Sequence, residues 1–206
     1  LEPSTGKVLA MVSKPSFDAN TVSENWNNLI NDSDSVLVNR ATQGQYAPGS
    51  IFKLVTTLSF MRQNSDYEAY LNDCTGEVTV DGTTIHCYAN QAHGQETLAD
   101  ALANSCNTAF SGIGLQLDIS KWQDTAKDLL FNTNLKCDLT ANQSSFSLDK
   151  NVDSASIMMT AIGQGDTLVS PYHMAMITAA IANGGKLMKP YLVDEITNYQ
   201  GTRVKK

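Results

Sequence analysis

Aromatic residues make up 7% of this 206-residue chain, and positive charge is in deficit: 14 Lys and Arg stand against 21 Asp and Glu, a net charge of −7. An acidic surface repels phosphate backbones, so nucleic acid is not an expected partner. No apolar run reaches the ~18 or more residues a membrane-spanning helix needs. No leader peptide is recognisable, so any anchor is expected outside this stretch. Internal repeats and low-complexity segments are also lacking. What is present is enough apolar residue, 42%, to bury a core as one domain, with Ala, Leu and Met favouring helix.

Against that background one stretch stands out. Pro48-Gly49 is followed directly by Ser50-Ile51-Phe52-Lys53. In a helix, positions three apart lie about 60° apart around the axis, so a hydroxyl and an amine meet on one flank. A serine hydroxyl becomes a nucleophile when a neighbouring base takes its proton. A lysine is that base only when its amine is neutral, which burial favours. Ser-x-x-Lys also occurs at Ser4 to Lys7, in a Pro-Ser-Thr-Gly turn, and at Ser147 to Lys150, in a polar stretch. Only after Ser50 does an i, i+3, i+4, i+7 stripe follow, through Ile51, Leu54, Val55 and Leu58. Ser50 and Lys53 are expected at the edge of that stripe, with Lys53 half-buried. The competing reading is a helix cap at Ser50 and a solvated Lys53.

A second element is Ser105-Cys106-Asn107. Thr97 with Asp100 reads as a variant capping box opening a helix. Leu98, Ala101, Leu102 and Ser105 share its face, and the polar run from Asn104 to Asn107 is expected to break it. A serine and an amide emerging beside a core need their hydrogen bonds satisfied. Taken alone, the stretch also reads as a polar cap joining two helices.

With these motifs in order, the chain resembles the transpeptidase domain of penicillin-binding proteins, of the monofunctional class B kind. Pro3 to Val12 is similar to the family's first strand, and Asn39-Arg40-Ala41 through Gly49-Ser50 to the lead-in to its nucleophile. Gly163-Gln164-Gly165 and the run from Ser170-Pro171 to Pro190 are similar to its later helix and turn. The resemblance implies an α+β fold: a mostly helical lobe plus the first strands of an antiparallel sheet. It implies Ser50 as the acylated nucleophile, with its own backbone N–H as one oxyanion donor, and Lys53 as general base. Ser105 would relay a proton to the leaving amine, and Asn107 would hold the substrate amide or orient Lys53. The implied reaction is D,D-transpeptidation of peptidoglycan stem peptides, with β-lactams trapping the same serine and no cofactor or metal required. The implied location is the extracytoplasmic face of a bacterial membrane, with cell-wall or division proteins as partners. A D,D-carboxypeptidase or a serine β-lactamase would differ in using water to resolve the acyl-enzyme. A non-catalytic β-lactam sensor or cell-wall scaffold is the reading from another class.

One departure limits the match. No Lys-Thr-Gly, Lys-Ser-Gly or His-Thr-Gly occurs in the chain. In the family that strand supplies the second oxyanion donor and carboxylate-binding groups. Residues 1–206 are therefore expected to be a single partial transpeptidase domain, slow to acylate, with an exposed sheet edge prone to pairing with neighbours.

The remaining features are structural expectations. Asp81-Gly82 between β-formers predicts a hairpin that sets Cys87 nearly opposite Gly76, so a Cys74–Cys87 disulfide is feasible. A zinc site from Cys74, Cys87, His86 and His93 lacks the usual close ligand pair, and none is expected. Cys106 and Cys137 read as unpaired, Cys106 as a small filler, and His93 as a turn residue without an acid at a fixed offset. Val8 to Val12 reads as a buried strand, Ser13 to Asn39 as a surface excursion, and Tyr67 to Leu71 as a short helix. Helices are expected over Ile51 to Met61, from Ile119 to Leu130, over Ser154 to Ile162 and between Ser170 and Gly184. Tyr191 to Tyr199 and Thr202 to Lys205 read as strands joined by a turn. Tyr88-Ala89-Asn90 and Ser23-Glu24-Asn25 are set aside as chance imitations of the Ser-x-Asn motif.

Overall fold

A computed structural model describes residues 1–205. The elements run α1 (Val22–Ile30), α2 (Lys53–Gln63), β1 (Leu71–Cys74), β2 (Glu77–Val80), β3 (Thr83–His86), β4 (Gly94–Thr97), α3 (Leu98–Ala103), α4 (Asn107–Gln116), α5 (Ile119–Asp128), α6 (Ser154–Ala161), α7 (Pro171–Ala182), β5 (Ile196–Thr197) and β6 (Arg203–Lys205). Side-chain caps set most of the helix starts. Thr97 and Asp100 close a full capping box at α3, and Asp118, Asp153 and Ser170 each accept a backbone N–H at the mouths of α5, α6 and α7. The cap of α4 is unusual: the Cys106 sulfur accepts from Ala109 N–H. No helix among the described residues is long and apolar enough to cross a membrane.

The chain divides into two compact units. One comprises residues 46–133 and 144–168. The scarce aromatics concentrate in its core. The Phe52 ring lies 5.9 Å from Phe131 and 6.0 Å from Phe146, and Trp122 lies 5.6 Å from Phe146. Such pairs each add ~0.5–1.5 kcal/mol beyond the area they bury. Helix α2 packs on α4 and α5, and α4 on α6. The α4–α6 approach is close enough that a Cβ on Gly114 would sit 2.7 Å from the Ala161 Cβ. Two antiparallel ribbons adjoin α4. β1 pairs with β4 from Leu71↔Thr97 to Cys74↔Gly94, and β2 with β3 from Glu77↔His86 to Val80↔Thr83. The Asp81-Gly82 turn has φ of 48° and 80°, as a two-residue hairpin loop demands, and Cys87 N–H bonds Gly76 O as the hairpin register predicts.

The other unit comprises residues 1–45, 134–143 and 169–205. It holds α7 with its Ser170 cap, Pro171 in the first turn and buried Met174, Met176 and Ile177. Asn183 then caps its end and Gly184 follows at φ 63°. The β5–β6 ribbon is antiparallel. Several expectations differ from the structure. Val8 to Val12 is not a buried strand: Lys7 makes one isolated parallel bridge to Tyr191, and Leu9 and Val12 are exposed. A strand persists only where a neighbour carries the ladder on, and Tyr191 covers a single register position. The Ser13 to Asn39 excursion contains helix α1, which follows a 3₁₀ turn (Ala19–Thr21) capped by the Asp18 side chain on Asn20 N–H; Val22, Trp26, Leu29 and Ile30 repeat at helical spacing. Of the predicted strand from Tyr191 to Tyr199, Ile196–Thr197 pairs as β5 and Tyr191 only in that single bridge. Between Tyr67 and Leu71 a single 3₁₀ turn forms, and Leu71 already belongs to β1. The α+β class stands.

Candidate active site

The backbone at Ser50 is a 3₁₀ turn, Gly49–Phe52, that feeds directly into α2 at Lys53. In a 3₁₀ turn side chains three apart eclipse one another, which suits a serine and lysine at that interval better than an α-turn does. A glycine pair sets the turn. Gly49 N–H donates to Gly163 O at 2.8 Å, both glycines have positive φ, and a Cβ on Gly163 would lie 2.1 Å from Gly49 O. Gly163, two residues past the end of α6, is thus glycine because the Ser50 turn presses against it.

Ser50 is exposed and Lys53 is fully buried. This corrects the expected half-buried amine. The buried face of α2 is Phe52, Lys53, Val55, Thr56, Ser59 and Phe60, while Ile51 is exposed and Leu54 and Leu58 are half-buried. The helix packs on both α4 and α5, so its interior face is wider and rotated from the single stripe that local periodicity implies.

Lys53 Nζ donates to Ser105 O at 2.5 Å, Asn107 Oδ1 at 2.7 Å and Ser105 Oγ at 3.0 Å; Ser50 Oγ lies at 3.5 Å. Three short bonds use the three protons of an ammonium, leaving Ser50 at the margin of hydrogen-bond range. The Phe110 ring adds a face 5.5 Å from the amine. Burial pulls the Lys53 pKa down to about 8, against the raising influence of Cys106, Cys87 and Glu96. At pH 7 about one amine in ten is then neutral.

Ser105 and Asn107 reach Lys53 because α3 and α4 are separated by a backbone corner. Ser105 has φ 51°, and the corner is held by Ser105 N–H to Leu102 O and Cys106 N–H to Ala101 O. Ser105 is exposed, Cys106 fully buried, and Asn107 partly buried. The Asn107 amide is oriented at both ends: Oδ1 accepts from Lys53, and Nδ2 donates to His86 O at 2.8 Å. One Nδ2 proton remains for another partner.

The four site residues singled out in the sequence therefore converge. Two neighbours were misread. Glu96 is buried, accepts from Asn104 Nδ2 through Oε1, and lies 3.6 Å from His93 Nδ1, so His93 does have an acid beside it. Cys106 is no isolated filler: its sulfur lies 3.8 Å from Cys87, which lies 3.7 Å from Cys74. All four cysteines are unbridged. His86 instead turns to Glu77, 3.2 Å away on the ribbon surface. Tyr88-Ala89-Asn90 is a 3₁₀ turn with Tyr88 almost wholly exposed, away from any catalytic role.

Comparison with known proteins agrees with this geometry. The family described as the penicillin binding protein transpeptidase domain matches residues 1–206. Peptidoglycan D,D-transpeptidase PbpA of Mycolicibacterium smegmatis is 34% identical over 95% of this chain and 42% of its own length. Stage V sporulation protein D of Bacillus subtilis is 28% identical over 95% of this chain and 29% of its own. Among solved structures, the ceftriaxone acyl-enzyme complex of penicillin-binding protein A from M. tuberculosis superposes with a TM-score of 0.89 at 31% identity. It covers all of this chain and 49% of that one. This chain thus spans less than half the length of these relatives, and it belongs to the penicillin-binding protein transpeptidase domain family.

Proposed function

We propose that this chain carries the nucleophile half of a peptidoglycan D,D-transpeptidase site, within one partial transpeptidase domain spanning residues 1–206. The observation that carries the reading is the fully buried Lys53 amine, held among Ser50, Ser105 and Asn107 with its pKa lowered to about 8. An exposed lysine would stay charged and could not accept a proton at neutral pH.

In this reading the neutral Lys53 amine takes the Ser50 hydroxyl proton as Oγ attacks the penultimate D-Ala carbonyl of a stem peptide. The backbone N–H of Ser50 faces the developing oxyanion. Ser105, 3.0 Å from the amine, passes a proton to the departing D-Ala nitrogen, leaving an ester on Ser50. An amine from a second stem then attacks that ester, and Ser50 recovers its proton. A β-lactam carbonyl enters the same path, but its ring opens without a leaving group diffusing away. Asn107 keeps Lys53 in place and offers its spare Nδ2 proton to the substrate amide. Such a reaction places the protein on the extracytoplasmic face of a bacterial envelope. A relative at 30% identity belongs to a structure titled for the coordination of polymerization and crosslinking by a peptidoglycan synthase complex, which supports cell-wall enzymes as partners.

The test is covalent labelling. The protein, expressed with whatever further sequence its gene encodes, is incubated with a penicillin and followed by intact-mass spectrometry and peptide mapping. A lasting adduct on Ser50, absent in Ser50→Ala, is expected. An adduct that clears within minutes marks a β-lactamase, and no adduct removes Ser50 as nucleophile. The 206-residue chain alone, without a Lys-Thr-Gly strand, is expected to label more slowly, by ~10²–10³ for a lost oxyanion donor.

A further inference from the structure

Directly behind the Ser105–Asn107 corner, three thiols and an imidazole meet. Cys74, at the end of β1, and Cys87, just after β3, are buried, as is Cys106 at the corner itself. His93, just before β4, is nearly so, its side chain 11% exposed. The Cys74 and Cys87 sulfurs are 3.7 Å apart, those of Cys87 and Cys106 3.8 Å, and Cys74 Sγ lies 3.4 Å from His93 Nδ1. All four donor atoms fall within 4.8 Å of one another.

Those distances have a specific meaning. Four donors around zinc, with Zn–S about 2.3 Å and Zn–N about 2.0 Å, stand on a tetrahedron whose S···S edges are about 3.8 Å and S···N edges about 3.5 Å. A disulfide would require two sulfurs at about 2.05 Å and would leave the third thiol and the imidazole with nothing to bind. Soft thiolates with one imidazole select zinc over magnesium or calcium. The surroundings suit a bound cation. Cys106 sits at the N-terminus of α4, where its sulfur accepts from Ala109 N–H at 3.5 Å and lies 3.1 Å from Thr108 Oγ1, contacts available to a metal-bound thiolate, while burial pushes the free thiol up. The Glu96 carboxylate is buried beside His93, and its Oε2 has no hydrogen-bond partner among the described residues.

We propose that Cys74, Cys87, Cys106 and His93 Nδ1 bind one zinc ion as a closed structural site that fixes the Ser105–Asn107 corner against Lys53. The ion would tie the ends of β1 and β3 and the start of β4 to the break between α3 and α4. Binding displaces the thiol protons to solvent, with no redox step. The sequence offered Cys74, Cys87 and His93 but no close pair and not Cys106, because the ligands come from separate segments: Cys74 and Cys87 are 13 positions apart, and Cys87 and Cys106 are 19 apart. His86, a member of the set considered and set aside in the sequence, faces outward toward Glu77, and Cys106 stands in its place.

The experiment is elemental analysis of the protein purified under reducing conditions, with zinc added and the excess removed. About one zinc per chain is expected, retained in Cys137→Ser and lost in Cys74→Ser and Cys106→Ser. Cobalt substituted for zinc should show thiolate charge-transfer and tetrahedral ligand-field bands. His93→Gln, the mildest variant, should weaken zinc binding by more than the ~10–100-fold that loss of an outer-shell partner costs. Stripping zinc from the unaltered protein with a chelator should lower its unfolding temperature and slow penicillin labelling of Ser50, and zinc should restore both. A chain that takes up no zinc in reducing buffer overturns the proposal. So does a native mass short by one pair of hydrogens, with Cys87 joined to Cys74 or Cys106. Zinc uptake that survives loss of Cys74 and Cys106 does the same. Zinc content, the cobalt spectrum and the unfolding temperature do not depend on Ser50 being a nucleophile, so failure here and failure of the transpeptidase reading are separate events.

Discussion

The two corners that form the site are built differently. The Gly49–Lys53 corner is local: a 3₁₀ turn places Ser50 over Lys53, and four consecutive residues contain the whole device. The Ser105–Asn107 corner is assembled from a distance. Its Ser105 sits at φ 51°, its Asn107 is held by His86 O from β3, and its Cys106 meets sulfurs from two other segments. The first corner presents the hydroxyl proposed to react. The second determines where the amine proposed as its base points, because Ser105 and Asn107 supply all three short bonds to it. Chemistry in this site is therefore encoded by spacing, and its alignment by tertiary structure.

The largest expected effect is on the shared residue. Lys53→Ala removes the base from the first corner and leaves Asn107 Oδ1 and Ser105 O of the second without their buried donor. Acylation by a penicillin should slow by ~10²–10⁴, the usual worth of a general base. Stopped-flow labelling rates check this; a loss under tenfold would mean the proton leaves Ser50 by another route.

The pH profile comes next. The active form is the neutral amine, and the folded pKa is lowered to about 8, chiefly by burial. The acylation rate should therefore rise about tenfold per unit below that value and level off above it. Cys106, Cys87 and Glu96 each raise the Lys53 pKa, so Glu96→Gln should move the midpoint downward and make the enzyme faster at pH 6 relative to its plateau. A midpoint that stays put in Glu96→Gln would show that the carboxylate is not felt at the amine. Rates measured from pH 5 to 10 decide it.

Gly163→Ala tests the support of the first corner alone. The added Cβ would meet Gly49 O at 2.1 Å, at a residue with φ 74°. Overlap and positive φ together should cost about 1–3 kcal/mol of stability, read by urea unfolding. Ser50 labelling should fall while zinc content stays unchanged, because the atoms the added Cβ meets belong to Gly49 and Phe52 of the first corner.

Legibility in the sequence follows the same division. The Ser-x-x-Lys turn, the Thr97 capping box, the Asp81-Gly82 hairpin and the Ser170-Pro171 helix start were all readable, since each depends on neighbours within four residues. The complete burial of Lys53 was not, because it depends on α4 and α5 packing over α2. Nor was the gathering of Cys106 with Cys74, Cys87 and His93, which no short motif announces. The Val8 to Val12 strand was over-read: the apolar run is there, but strand state requires a partner ladder, and Tyr191 alone provides a bridge. Helix α1 was under-read because its polar residues outnumber the Val22, Trp26, Leu29 and Ile30 set that repeats at helical spacing.

The smallest effect separates the stability of the second corner from its alignment. Thr97 accepts from Asp100 N–H, and Asp100 returns bonds to Thr97 N–H and Oγ1, which holds the Asp100 carboxyl below its usual range. Thr97→Ala removes the cap of α3 and should cost ~0.5–2 kcal/mol. The Asp100 contribution is present above the ordinary carboxylate pKa and fades as pH falls through the lowered one. The penalty of Thr97→Ala should thus be larger at pH 7 than in strong acid. Helix α3 enters the Ser105 corner, yet the bonds that aim Lys53 all lie after it, at Ser105 and Asn107. The variant should therefore unfold at lower urea while its acylation midpoint remains near 8. A midpoint that shifted with the cap would mean that α3 as a whole, and not the three-residue corner, positions the base.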